Sequence, residues 1–199
     1  IGKIPVTVTN DLPATMPRWA EVSDDIAAAD ISPDGKRAVF EARGDLFSVP
    51  AKHGATRNLT NTQGVRESSP AWSPDGRSIA YTTALEGEIQ RLVVRPLDRF
   101  EETVLVSGEG ATGPYHPVFS PDSAWLGYVT PSELKKISVT GGAPITLCKV
   151  DRSRGAAWGE AGTIVVATSM MSGLARVSSA GGEPEPLTEL AEGERSHRW

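Results

Sequence analysis

The sequence predicts an all-β fold, a β-propeller of four-stranded antiparallel blades, and three observations predict it. The first is a repeat: Ser32-Pro33-Asp34-Gly35, Ser73-Pro74-Asp75-Gly76, Ser120-Pro121-Asp122-Ser123 and a worn copy at Gly159-Glu160-Ala161-Gly162, spaced 41, 47 and 39 residues apart. The second is its setting, because each copy joins a short apolar segment to a β-rich run. The third is composition: 20 Gly and 15 Pro in 199 residues exceed the roughly 12% of average usage. They interrupt almost every window long enough for a helix. A four-stranded propeller blade repeats about every 40–45 residues, so the spacing matches one blade per copy.

The elements follow in order within each repeat. First strands are expected at Ala29-Asp30-Ile31, Pro70-Ala71-Trp72, Pro117-Val118-Phe119 and Ala156-Ala157-Trp158. The turn comes next. Proline presets φ at Pro33, Pro74 and Pro121, the carboxylates of Asp34, Asp75 and Asp122 can bond back to the following backbone, and Gly35 and Gly76 take positive φ. Second strands are expected at Arg37 to Ala42, Ser78 to Thr83, Trp125 to Thr130 and Thr163 to Thr168. Third strands at Asp45 to Val49, Glu88 to Val94, Glu133 to Val139 and Gly173 to Ser178 alternate polar and apolar residues with period two. Fourth strands are expected at Thr56 to Thr60, Thr103 to Val106, Pro144 to Cys148 and Glu185 to Thr188. The stretch Val22 to Asp30, with three consecutive alanines, is too short for an isolated helix and is expected to be strand and loop.

At these residues the chain resembles the bacterial WD40-like repeats of the TolB type (PD40 repeats), marked by an aromatic or apolar residue, Ser-Pro-Asp-Gly and a basic-then-apolar strand. The resemblance runs from Asp24 to Leu190. The first half, through Glu41-Ala42-Arg43-Gly44-Asp45-Leu46-Phe47 and Arg57-Asn58-Leu59-Thr60, resembles the propeller of tricorn-type proteases. The second half, through Leu134-Lys135-Lys136-Ile137 and Arg154-Gly155-Ala156-Ala157-Trp158-Gly159, resembles propeller sensor regions of bacterial serine/threonine kinases. A fused or engineered join near Val94 is therefore one expectation. TolB-type propellers are often periplasmic and tricorn relatives often cytoplasmic, so the resemblance leaves the compartment open.

The whole chain is expected to be one propeller, with blades at about 24–66, 67–112, 113–154 and 155–194. Residues 1–10 alternate like the last strand of a preceding blade, and 196–199 resemble the first strand of a following one. Four blades with two open sheet edges invite pairing, so two chains are expected to close an eight-bladed ring, or the chain to be part of a larger propeller.

Function classes fall away in turn. The net charge is −5 with no basic run, which disfavours nucleic acid. No apolar run approaches the roughly 20 residues of a membrane helix. The single Cys148 rules out an intrachain disulfide and any multi-cysteine metal site, and it is expected to be a small buried hydrophobe. His53, His116 and His197 form no metal-binding pair, and no cofactor site is expected. The turn aspartates are expected to stand well apart around a ring, as caps. No Gly-x-Ser-x-Gly nucleophile elbow occurs, so the chain is expected not to be an enzyme. Trp72, Trp125, Trp158 and Trp199 are expected between sheets, and Trp19 exposed.

What remains is the polar set entering each first strand, expected at the mouth of the central channel: Arg66, Glu67, His116, Arg152, Arg154, Arg195 and His197. Such a ring suits a peptide terminus or another acidic ligand. The expected role is a non-catalytic scaffold for protein or peptide, self-assembling through open blades. The alternative is the substrate-gating propeller of a tricorn-like serine protease whose catalytic domain lies elsewhere.

Overall fold

The computed structural model describes residues 21–85, 89–99, 101–109 and 113–191. Their strands form four separate four-stranded antiparallel sheets, each a simple meander. The first holds β1 (Ile26–Ile31), β2 (Arg37–Ala42), β3 (Asp45–Pro50) and β4 (Arg57–Asn58). The second holds β5 (Val65–Trp72), β6 (Ser78–Leu85), β7 (Ile89–Pro96) and β8 (Thr103–Glu109). The third holds β9 (Tyr115–Phe119), β10 (Trp125–Val129), β11 (Glu133–Ser138) and β12 (Ile145–Lys149). The fourth holds β13 (Ala156–Trp158), β14 (Thr163–Ala167), β15 (Leu174–Ser178) and β16 (Glu185–Pro186). A short 3-10 turn, Ser23–Asp25, precedes β1 where strand and loop were expected. The terminal remnants expected at 1–10 and 196–199 lie outside the described residues.

The turn between first and second strands is built the same way three times. In the second sheet, Ser73 Oγ donates to Asp75 Oδ1 at 2.6 Å and accepts from the Ser78 backbone N–H at 2.9 Å, while the Arg77 N–H reaches Asp75 Oδ1 at 3.0 Å. Ser32 with Asp34 and Ser120 with Asp122 repeat this arrangement. The serine hydroxyl is thus the hub of the turn, a role the Pro-Asp-Gly signature does not advertise. The serine hydroxyl, and then the backbone N–H, hold the Asp75 and Asp122 carboxyls below their ordinary range; at Asp34 the backbone N–H is the larger cause. In the third copy Ser123 takes glycine's place at φ +60°.

Each of three apolar clusters lies between two successive sheets. Val39 and Leu46 meet Trp72, Ile79, Tyr81 and Val93. Ala80, Leu92 and Val94 meet Phe119, Leu126, Tyr128 and Ile137. Val129, Leu134, Leu147, Cys148 and Val150 meet Ile164, Val166 and Val177. The alternation that sends neighbouring residues to opposite sheet faces therefore gives each inner blade two dry faces. Gly127 has a packing reason of its own: a Cβ there would sit 3.1 Å from Val118 Cγ1 and 3.4 Å from the Trp158 ring.

Hydrogen bonds cross the same seams. The Trp72 N–H donates to Asp30 Oδ2 at 2.6 Å and the Glu67 N–H to the Gly44 carbonyl at 2.8 Å. The Asp75 N–H donates to Ser123 Oγ at 3.1 Å. That last bond corrects the expectation for the turn aspartates, since turns of successive blades touch rather than stand well apart. Their role as turn caps stands, because each carboxylate is already taken up by its own serine and backbone N–H.

Candidate functional site

The first strands β1, β5, β9 and β13 all border one cavity of about 530 Å³, walled by Ala27 and Ala28, Arg66 and Ser68 to Pro70, His116 and Pro117, and Arg154 to Ala156, with Glu41 from β2. Bulges create it. In β5 the ladder slips between Ser68 and Ala71, and β9 slips at the matching place, so two strand residues oppose one partner residue. The residue four places before each turn takes positive φ in the last three blades: Ser69 at +53°, His116 at +49° and Gly155 at +137°. For Ser69 and His116 this left-handed backbone costs on the order of 1–3 kcal/mol each. In return the bulge carries these residues to the wall of the cavity.

Glu41 anchors the floor. It is 4% exposed, accepts from Arg66 Nη2 at 3.1 Å through Oε1, and accepts the Ser69 backbone N–H at 3.1 Å through Oε2. One carboxylate therefore satisfies a strained N–H of the next blade and holds a guanidinium at the rim. The Arg66 side chain is 67% exposed, leaving donors toward solvent beyond the one used. Arg154, exposed on the opposite wall, forms an ion pair with no carboxylate among the described residues. The pair Arg66–Glu41 is neutral, so among the described residues the charge of Arg154 at the cavity is uncompensated. His116 is exposed at the rim with its ring against Tyr115, at 6.5 Å between centroids. Partial withdrawal from water and then the Arg154 guanidinium hold its imidazole below the ordinary pKa, so at neutral pH it offers one N–H and one acceptor.

Of the seven residues singled out in the sequence, Arg66, His116 and Arg154 meet here. Glu67 does not: it is 1% exposed and turned toward the first sheet, with Oε2 buried and unpartnered. Burial pushes its carboxyl above the ordinary range, and the Thr60 and Thr62 hydroxyls offset this only in part. The strand alternation places it on the face opposite Ser68. Arg152 is exposed at φ +51°, away from the cavity wall, with its N–H on the Pro131 carbonyl. Arg195 and His197 lie outside the described residues. Sequence reasoning missed Glu41, whose place in the repeat is filled by Thr82, Val129 and Ala167 in the other sheets. A lone acid at an otherwise apolar or hydroxyl position was the available clue.

Tyr81 and Tyr128 are buried, and burial pushes the Tyr128 phenol up to about 12. Trp125 is half-buried, with Lys136 Nζ 4.6 Å from its ring centroid. Trp19 and Trp199 lie outside the described residues. Burial raises the Cys148 thiol, which fits an inert packing role. Among the described residues no group of three or more His, Cys, Asp or Glu could hold a metal ion, and no helix is long and apolar enough to cross a membrane.

Four meander sheets packed face to face around their first strands define a β-propeller-like fold. No family model matches the sequence. Dipeptidyl-peptidase 5 of Porphyromonas endodontalis is 31% identical over 120 residues, 55% of this chain and 17% of that protein. The chain thus spans under a fifth of that relative's length. The matched stretch is longer than either side of Val94, so it runs across the position of the expected join. Among solved structures, TolB from Acinetobacter baumannii superposes with a TM-score of 0.66 at 16% identity, over 85% of this chain and 45% of that one. Oligogalacturonate lyase in complex with manganese gives 0.64 at 14% identity, over 82% and 52%. The tricorn protease gives 0.57 at 16% identity, over 71% and 19%. At these identities the likeness concerns the fold.

Proposed function

We propose that this chain is a non-catalytic β-propeller scaffold that binds protein or peptide at its channel mouth, through a carboxylate of a peptide terminus or acidic side chain. The observation that carries the reading is the convergence of Arg66, His116 and Arg154, from three different blades, on one cavity. Arg154 supplies the free charge, Arg66 a guanidinium already oriented by Glu41, and His116 and the Ser68 and Ser69 hydroxyls supply neutral hydrogen-bonding groups. A planar guanidinium matches a carboxylate in bidentate geometry. Self-association through the end blades is a second form of protein binding within the same reading.

The test is calorimetric titration with a short N-acetylated peptide bearing a free C-terminal carboxylate, against its C-terminal amide. Binding of the acid at least about tenfold tighter than the amide, lost in Arg154→Ala, is the expected result. Equal affinity for both, or no effect of Arg154→Ala, overturns the carboxylate reading.

A second reading is the substrate-gating propeller of a serine peptidase whose catalytic domain lies elsewhere. The match to dipeptidyl-peptidase 5 favours it. Coding sequence on either side of this segment decides it, since a serine-hydrolase domain in the same frame is required.

A further inference from the structure

We propose that copies of this chain associate head to tail, the outer face of the fourth sheet seating on the outer face of the first. The proposal rests on the self-association part of the reading above and names its surface. In every blade a leucine occupies the same ladder position on the third strand: Leu46 opposite Glu41, Leu92 opposite Thr82, Leu134 opposite Val129, and Leu174 opposite Ala167. Leu46, Leu92 and Leu134 are each 0% exposed, pressed forward onto the next sheet. They meet Tyr81, Tyr128 and Val166, which hold one matching position on the second strand and are 1%, 2% and 0% exposed. Each blade therefore presents a leucine face forward and a receiving face backward.

Among the described residues three seams use up three of each, leaving one leucine face and one receiving face. Leu174 is only half-buried. Phe40, at the receiving position of the first sheet, is half-buried beside a cavity of about 740 Å³ that also borders Ile26, Phe47 and Val49. Every residue bordering this cavity belongs to residues 22–58, so among the described residues no other sheet covers it. Ile26 there is 44% exposed. The two unused faces are the two halves of the seam that the chain already forms three times. That complementarity selects a second copy, not an unrelated partner, as the occupant. A contact of this kind is heterologous, so it closes into a ring or propagates according to the rotation between copies.

The test is solution mass by size exclusion with light scattering over a range of concentration, on the wild type, Phe40→Asp and Leu174→Asp. The wild type is expected at twice 21.1 kDa or a higher multiple, and each variant alone at 21.1 kDa. Mixing the two variants is expected to restore dimers, because each keeps the face that the other lacks. Ile26→Glu, at an exposed position on the same face, covers the case in which Phe40→Asp fails to unfold cooperatively. A wild-type mass of 21.1 kDa at every concentration overturns self-association as a whole. A multimeric wild type whose mass survives all three substitutions overturns this interface and leaves self-association standing on another surface.

Discussion

The two ends of the first strands are built from the same backbone but treat their side chains in opposite ways. At the turn end, Ser32, Ser73 and Ser120 with Asp34, Asp75 and Asp122 repeat one hydrogen-bond pattern blade after blade. At the bulge end the matching positions hold Ser69, His116 and Gly155, no two alike, and two of the three adopt a backbone that L side chains disfavour. Uniformity across the first three blades marks a part that serves folding, although the fourth turn, Gly159-Glu160-Ala161-Gly162, is built without the serine and aspartate. Divergence combined with strain marks the part free to become specific, which is where the cationic cavity lies.

Substitutions separate the two ends. The largest effect is expected in the seams that both ends depend on: Leu92→Ala, at a fully buried site, should lower the unfolding free energy by about 2–5 kcal/mol in a urea titration. At the turn end, Asp75→Ala removes the acceptor of the Ser73 hydroxyl and the Arg77 N–H, and a loss of about 1–3 kcal/mol is expected. Its carboxyl is held below the ordinary value in the folded state. The stabilisation is therefore present above the unfolded pKa and lost as pH falls through the folded one, so the mutant's deficit should shrink in acid.

Glu67 has the opposite sign, its folded pKa being raised by burial. Its ionisation opposes folding once pH exceeds the unfolded value near 4.5, and the penalty is complete above the folded pKa. Glu67→Gln should therefore gain on wild type in thermal melts at neutral pH, with the gap closing below that value. A gap that widens in acid would contradict the assignment.

At the bulge end, Ser69→Gly keeps the N–H bonded to Glu41 and relieves the left-handed backbone, so a gain of up to about 1 kcal/mol in denaturant unfolding is expected. Smallest of all, Arg154→Ala should leave stability within about 0.5 kcal/mol while abolishing carboxylate binding. If it destabilised the chain as Asp75→Ala does, the division between a folding end and a binding end would fail.

The four sheets and their meander order were legible because the turn chemistry is local: Pro, Asp and Gly act within four residues and recur at blade spacing. Strand ends were less so. The fourth strands β4 and β16 are each two residues long, shorter than the sequence suggests, because outer-edge pairing depends on how far the third strand's partner stays in reach. The polar residues entering the first strands were legible as a set, but not that Arg66, His116 and Arg154 line one cavity while Glu67 and Arg152 do not.

By itself, the sequence determined the all-β class, the repeat, the turn residues and the polar entries to the first strands. These follow from short-range backbone preference and from the period of two. The tertiary structure alone decided which acid does what. Glu41 became the anchor of the cavity between the first strands because its face packs on the next blade, whereas Glu67, adjacent in sequence to the rim arginine, was turned inward by strand alternation and left with a buried oxygen. It also decided which faces no described sheet covers, since Phe40 and Leu174 are half-buried at positions that are buried in the other blades. The physical reason is that side-chain burial in a propeller is set by the neighbouring blade, a contact some forty residues distant along the chain, on which local sequence has no bearing.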